Sequence, residues 1–139
     1  MATQIFVNLP VKDLDRAKGF FSALGYAFKP QFTNENGACM VVSEGHIYVM
    51  LLAEPFFKTF TPKPVADATQ STEVIVCLSS DSRAALDETV RTAVAAGATT
   101  PRPLQDLGFM VQHGFQDLDG HLWELVYMEP NAAPVDAAR

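Results

Sequence analysis

The sequence predicts an α+β fold of two βαβββ modules, and three observations carry the prediction. Gly45-His46-Ile47-Tyr48-Val49-Met50-Leu51-Leu52 recurs as Gly120-His121-Leu122-Trp123-Glu124-Leu125-Val126-Tyr127, Val49 against Glu124 being the one position whose character changes. Each half carries one amphipathic helix pattern closed by a glycine, Gly25 in the first and Gly97 in the second. Around each helix pattern the apolar residues alternate with strand periodicity, so each half reads strand, helix, strand, strand, strand. A helix of this kind must bury its apolar stripe against a sheet, which puts the helices on the outer faces. The opposite faces are then free to form a curved mixed sheet around one cavity.

Taken in order, residues 4–11 form the first strand, with Ile5, Val7, Leu9 and Val11 on one face and Phe6 and Asn8 on the other. Asp13 is a plausible N-cap for a helix whose stripe is Ala17, Phe20, Phe21 and Leu24. Strands at about 26–31, 37–43 and 46–53 follow, separated by the turn signals Asn34-Glu35-Asn36-Gly37 and Ser43-Glu44-Gly45. Residues 4–53 make the first module. The stretch 54–71 contains Pro55, Pro62 and Pro64 and reads as a connector whose Phe56, Phe57 and Phe60 cover core or line a pocket.

The second module spans 72–128. It opens with a strand at 72–79, in which Ile75 and Cys77 face away from Val74, Val76 and Leu78. Asp81 or Ser82 caps a helix to about Ala96 with Leu86, Val90 and Val94 as its stripe. Strands at about 98–103, 108–116 and 121–128 complete the set, and Asp117-Leu118-Asp119-Gly120 is a hairpin turn. Residues 129–139 read as a loose tail.

With 139 residues, 48% of them hydrophobic and 19% charged, residues 1–139 are expected to make one globular domain. A net charge of −6 argues against a surface that tracks phosphates, so no nucleic-acid partner is expected. No apolar run reaches the ~20 residues of a membrane span, and no signal-peptide pattern opens the chain. A cytoplasmic setting with no membrane partner follows as an expectation. Cys39 and Cys77 lack metal-site spacing and read as small buried apolar residues of strands.

Val11-Lys12-Asp13-Leu14-Asp15-Arg16-Ala17, Phe20-Phe21, Leu24-Gly25-Tyr26 and Asp117-Leu118-Asp119-Gly120-His121-Leu122-Trp123-Glu124-Leu125 together resemble the vicinal-oxygen-chelate superfamily, in its glyoxalase, bleomycin-resistance and extradiol-dioxygenase group. The resemblance covers nearly all of residues 4–128. It implies a cavity in which the first and last strand of each module offer one metal ligand each. Counting back from Val11 and Ser80 puts the first-strand positions at Phe6 and Ile75, and the internal repeat puts the last-strand positions at Val49 and Glu124. One carboxylate among Phe, Val and Ile falls short of the three or four donors that a divalent ion needs, so no metal and no other cofactor are expected.

Glu124 is then the candidate catalytic or ligand-contacting group, and His113 is its candidate partner. A two-residue loop at Leu118-Asp119 would set His113 opposite Glu124. A glycine bulge at Gly120, which Asp-Leu-Asp-Gly suits better, would set Gly114 there instead. Phe6, Asn8, Val49, Ile75, Cys77, Leu122 and Val126 are the expected ligand-facing residues; Arg102 and Gln112 could reach a cavity from adjoining strands, but parity alone does not settle their direction. His46 and His121 read as turn residues, and Asp117 and Asp119 as turn hydrogen-bonders.

The resulting expectation is a glyoxalase/bleomycin-resistance-like protein that binds a small organic ligand and has a degenerate metal site, with a homodimer as a candidate assembly. The alternative is an enzyme resembling lactoylglutathione lyase or a dioxygenase, using Glu124 with an atypical metal or as a metal-free base.

Overall fold

The first strand and first helix follow from their sequence with little change. β1 (Ile5–Val11) leads into α1 (Leu14–Ala23), whose N-cap Asp13 accepts the Arg16 backbone N–H at 3.1 Å. The helix ends where Gly25, at φ 100°, turns the chain back, and the Tyr26 N–H reaches the Phe21 carbonyl. The structure is a computed structural model that describes residues 2–130; most of the expected tail, 131–139, lies outside the described residues.

The chain divides into two units, residues 1–71 and 72–139. In the first, β2 (Ala27–Phe28), β3 (Gly37–Ser43) and β4 (Ile47–Ala53) join β1 in a four-stranded sheet of order β1-β4-β3-β2. β1 runs parallel to β4 and the other pairs are antiparallel. β2 is shorter than the expected 26–31 because Pro30 opens a 3₁₀ turn at Pro30–Phe32. The segment read as a patternless connector begins with a short helix, α2 (Glu54–Phe57), and a second 3₁₀ turn at Lys58–Phe60. Phe56 and Phe60 meet edge to face there at 5.1 Å, with Phe60 itself largely exposed.

The second unit repeats the plan with β5 (Ile75–Ser79), α3 (Arg83–Ala95), β6 (Gln105–Asp106), β7 (Met110–Gln116) and β8 (Leu122–Met128), in sheet order β5-β8-β7-β6. Again the first and last strands are parallel and the rest antiparallel. The strand expected at 98–103 does not form. Pro101 and Pro103 have no N–H to give to a ladder, so only a Thr99–Gln116 bridge and the two-residue β6 remain. Both units are thus mixed sheets with a helix, and the fold class is α+β with two βαβββ modules.

In the second unit the core lies between α3 and the sheet. Leu86 and Val90 of α3 pack with Val111 and Leu125, flanked by Leu78 and Tyr127. Ser82 caps α3 by accepting the Ala85 N–H. The stripe differs from the expectation at one position: Ala93 is fully buried, while Val94 is 46% exposed. Spacing of i, i+4, i+7 keeps to the buried side, and i+8 drifts off it.

In the first unit, the face bearing Leu9, Val11, Met40, Val49 and Leu51 is almost wholly buried, and α1 packs over β3 and β4 with Ala17, Phe20 and Phe21 buried. Val49 therefore belongs to the core. The ladder sets Phe6 beside Tyr48, Val7 beside Val49 and Asn8 beside Met50. The residue of β4 that shares a face with Phe6 and Asn8 near mid-strand is Met50, not Val49.

The reason is a one-residue offset between the two hairpins. In the first, the positive-φ glycine is the third residue of the Ser43-Glu44-Gly45-His46 turn, closed by the His46 N–H on the Ser43 carbonyl. In the second it is the fourth of Asp117-Leu118-Asp119-Gly120, and the Asp117 N–H pairs with the His121 carbonyl. Val42 is bulged as well, since Val41 pairs with Tyr48 and Ser43 with Ile47. Superposing the Gly-His pairs of the repeat thus shifts the side-chain faces by one, and one residue of shift reverses every side chain.

Candidate functional site

The face of the second sheet turned away from α3 carries Ile75, Cys77, Leu122, Glu124 and Val126, as the β5–β8 register requires. Across the ladder from Glu124 stands Gly114, and His113 pairs with Leu125 instead. The hairpin takes the bulged form. His113 therefore lies on the side of Val111 and Leu125, which α3 covers, and the expected His113–Glu124 pair does not form.

Gly114 gives Glu124 its place. The Glu124 carboxylate oxygen Oε2 is 3.3 Å from the point where a Cβ on residue 114 would stand. A glycine inside a strand commonly marks such a close approach. Around the carboxylate is a recess of about 80 Å³. That is room for part of a ligand, well under the ~300–1,000 Å³ that encloses a drug-sized molecule. Ile75, Leu122, Phe115 and Trp123 supply largely apolar walls, and Pro101 and Arg102 come from the loop before β6. Neither Glu124 nor Arg102 makes a side-chain hydrogen bond or ion pair with any described residue.

Asp117 holds the hairpin that leads into β8. Its Oδ1 accepts the N–H groups of Asp119 and His121, and its Oδ2 accepts the Trp123 indole N–H at 2.9 Å. Burial raises the Asp117 carboxyl above its ordinary value, and the Trp123 hydrogen bond, nearby His121 and the two backbone N–H groups oppose the rise. The neighbouring Trp123 ring stacks on Phe115 at 6.3 Å. Thus β8 presents Leu122 and Glu124 on one face because Trp123 and Leu125 are fastened on the other.

Of the residues expected to meet a ligand, the recess brings together Ile75, Leu122 and Glu124. Cys77 and Val126 share their face but lie outside the recess, and Cys77 is exposed rather than buried. Partial desolvation first, and the Glu124 carboxylate second, push the Cys77 thiol upward. Phe6 and Asn8 belong to the first unit, on the face of β1 opposite Leu9, where Phe6 stacks on Tyr48 at 5.0 Å. The Lys29 ammonium sits 5.9 Å from the centre of the Tyr48 ring and pairs with Glu44, which also bonds the Tyr48 hydroxyl.

The donors on these faces do not suit a chelated divalent ion. In the second unit Glu124 has only a protonation-favouring thiol, Cys77, beside it; in the first, Phe6 and Met50 offer no oxygen or nitrogen. Among the described residues no group of three or more His, Cys, Asp or Glu side chains could hold a metal. Nor is any helix among them long and apolar enough to cross a membrane.

Gly114 and Arg102 are the recess residues that the sequence named without settling: Gly114 as opposite Glu124 only if the hairpin is bulged, and Arg102 as able to reach a cavity from an undecided direction. The signal for Gly114 was available as a glycine mid-strand with no turn residues beside it. The direction of Arg102 could not be read from strand parity, because its place depends on a proline-rich loop.

Residues 3–43 match the family model described as bleomycin resistance protein-like N-terminal. None of the curated proteins matches the chain in sequence. Among solved structures, TioX from Micromonospora sp. ML1 is 27% identical, with 91% of this chain and 99% of that one covered at a TM-score of 0.62. A glyoxalase/bleomycin resistance protein/dioxygenase from Nocardioides is 18% identical over 99% and 91% of the two chains, with a TM-score of 0.72. A lactoylglutathione lyase from Agrobacterium tumefaciens is 16% identical over 91% and 94%, with a TM-score of 0.66. The N-terminal match and the two-module fold together make this chain similar to bleomycin-resistance-like and glyoxalase-related proteins.

Proposed function

We propose that this protein binds a small organic ligand in the manner of the bleomycin-resistance branch, with Glu124 as the polar anchor and without the metal of the chelating relatives. The observation that carries the reading is the Glu124 carboxylate, without a hydrogen bond or ion pair among the described residues, in a mostly apolar recess. A few polar groups set into apolar walls are the usual composition of a small-molecule site. A chelated metal would need donors that Ile75 and Leu122, the recess neighbours of Glu124, do not have. A homodimer and a cytoplasmic setting complete the proposal.

Native mass spectrometry of the protein as purified, with calorimetric titration of Zn²⁺, Ni²⁺ and Mn²⁺, tests this reading. An organic adduct that is lost in Glu124→Gln, with no stoichiometric metal binding, is the expected result. Tight one-to-one metal binding that depends on Glu124 would overturn it. Light scattering across a dilution series tests the dimer.

The catalytic reading, Glu124 as a metal-free base in a lyase-like or dioxygenase-like reaction, draws on the same unpartnered carboxylate. Turnover that survives unchanged in Glu124→Gln would remove it.

A further inference from the structure

We infer that Arg102 is a second, oppositely charged anchor of the Glu124 recess, so that the ligand is an apolar molecule bearing both a cationic and an anionic group. This rests on the proposed binding function and deepens it by naming the ligand class. Both residues line one recess, Glu124 half-buried and Arg102 exposed, and neither is neutralised by another described residue. They do not neutralise each other either, since no ion pair within 4.0 Å joins them.

The two groups come from unlike supports. Glu124 is held on β8 over Gly114, between the buried Trp123 and Leu125. Arg102 sits between Pro101 and Pro103, where fixed backbone φ angles restrict the loop. Arginine stays protonated and presents a planar fork of donors suited to a carboxylate. A carboxylate in turn accepts from an ammonium group. Ile75 and Leu122 leave an apolar surface for the remainder of the ligand. A ligand of one sign would leave one anchor without a counter-charge, and a neutral ligand would leave both.

Four probes of similar size separate the contributions: phenylalanine, phenethylamine, 3-phenylpropanoate and ethylbenzene. Each is titrated into wild type, Arg102→Gln and Glu124→Gln, with amide chemical shifts locating the binding and calorimetry measuring it. Phenylalanine is expected to bind wild type about 10-fold more tightly than either singly charged probe, a factor that one charge-assisted hydrogen bond of about 1.4 kcal/mol supplies. Arg102→Gln should abolish the advantage over phenethylamine and leave phenethylamine binding unchanged. Glu124→Gln should abolish the advantage over 3-phenylpropanoate.

If phenethylamine binds through Glu124 but phenylalanine gains nothing from Arg102, the Arg102 inference fails while the Glu124 anchor stands. If no probe shifts the amides of Leu122, Glu124 or Gly114, the binding reading and this inference fall together.

Discussion

Gly114 faces Glu124 across the β7–β8 ladder, with the carboxylate 3.3 Å from where a Cβ on residue 114 would stand. Gly114 also has the Trp123 carbonyl oxygen and the Glu124 Cα against it, the carbonyl closer than the carboxylate. Two of those three neighbours are backbone and cannot swing aside. Gly114→Ala is therefore expected to destabilise the protein by about 1–3 kcal/mol, as overpacking does. Denaturant unfolding in the wild-type and Glu124→Ala backgrounds checks the cause. The penalty should persist without the carboxylate; relief by Glu124→Ala would show that the side chain, not the strand, is the obstacle.

Val49 and Met50 provide a direct test of the register in the first unit. Val49 is fully buried on the α1 side with Met40 and Leu51, while Met50 is half-buried on the face of Asn8. Val49→Thr conserves shape and buries a hydroxyl, which costs about 1–3 kcal/mol in the absence of a partner. Met50→Gln should cost less than about 1 kcal/mol. Equal penalties at the two positions would contradict the assigned faces.

The difference between those two residues shows where the sequence stops being legible. The strands at Gly37–Ser43 and Ile47–Ala53, the Asp13 cap and the closing glycines could be read directly, and the second cap to within Asp81 or Ser82, because periodicity and turn chemistry are local. The face of β4 could not, since it depends on whether a positive-φ glycine is third or fourth in its turn and on the bulge at Val42. The same turn geometry separated His113 from Glu124. Glu124 itself was legible because Trp123 and Leu125, two large apolar neighbours, claim the other face.

On α3, Ala93 and Val94 exchange the roles that a simple apolar count assigns. Ala93 is sealed against the sheet, whereas Val94 has nearly half its surface in solvent. Ala93→Leu should lose about 1–3 kcal/mol through overpacking. Val94→Lys should change stability by no more than about 0.5 kcal/mol, as expected for an exposed helix site that gains a better helix former. Thermal unfolding of the two variants distinguishes them, and a large loss in Val94→Lys would show that the stripe extends further round the helix.

Asp117 gives the protein a pH dependence of definite sign. Desolvation is the leading influence on its carboxyl and raises its pKa above 3.8 in the folded chain, against the pull of Trp123, His121 and the backbone N–H groups of Asp119 and His121. Between the unfolded and folded pKa values the native state holds more of the proton, so stability falls as pH rises through that window and levels off above it. Acidification through the window between the unfolded and the raised folded pKa should therefore favour wild type relative to Asp117→Asn, in which nothing titrates at that position. Urea unfolding of the pair at stepped pH values measures the difference, and a carboxyl NMR titration locates the midpoint. Should wild type instead lose ground to the variant on acidification, the hydrogen bonds to Trp123, Asp119 and His121 would outweigh burial, and the carboxylate would be a net stabiliser of the hairpin.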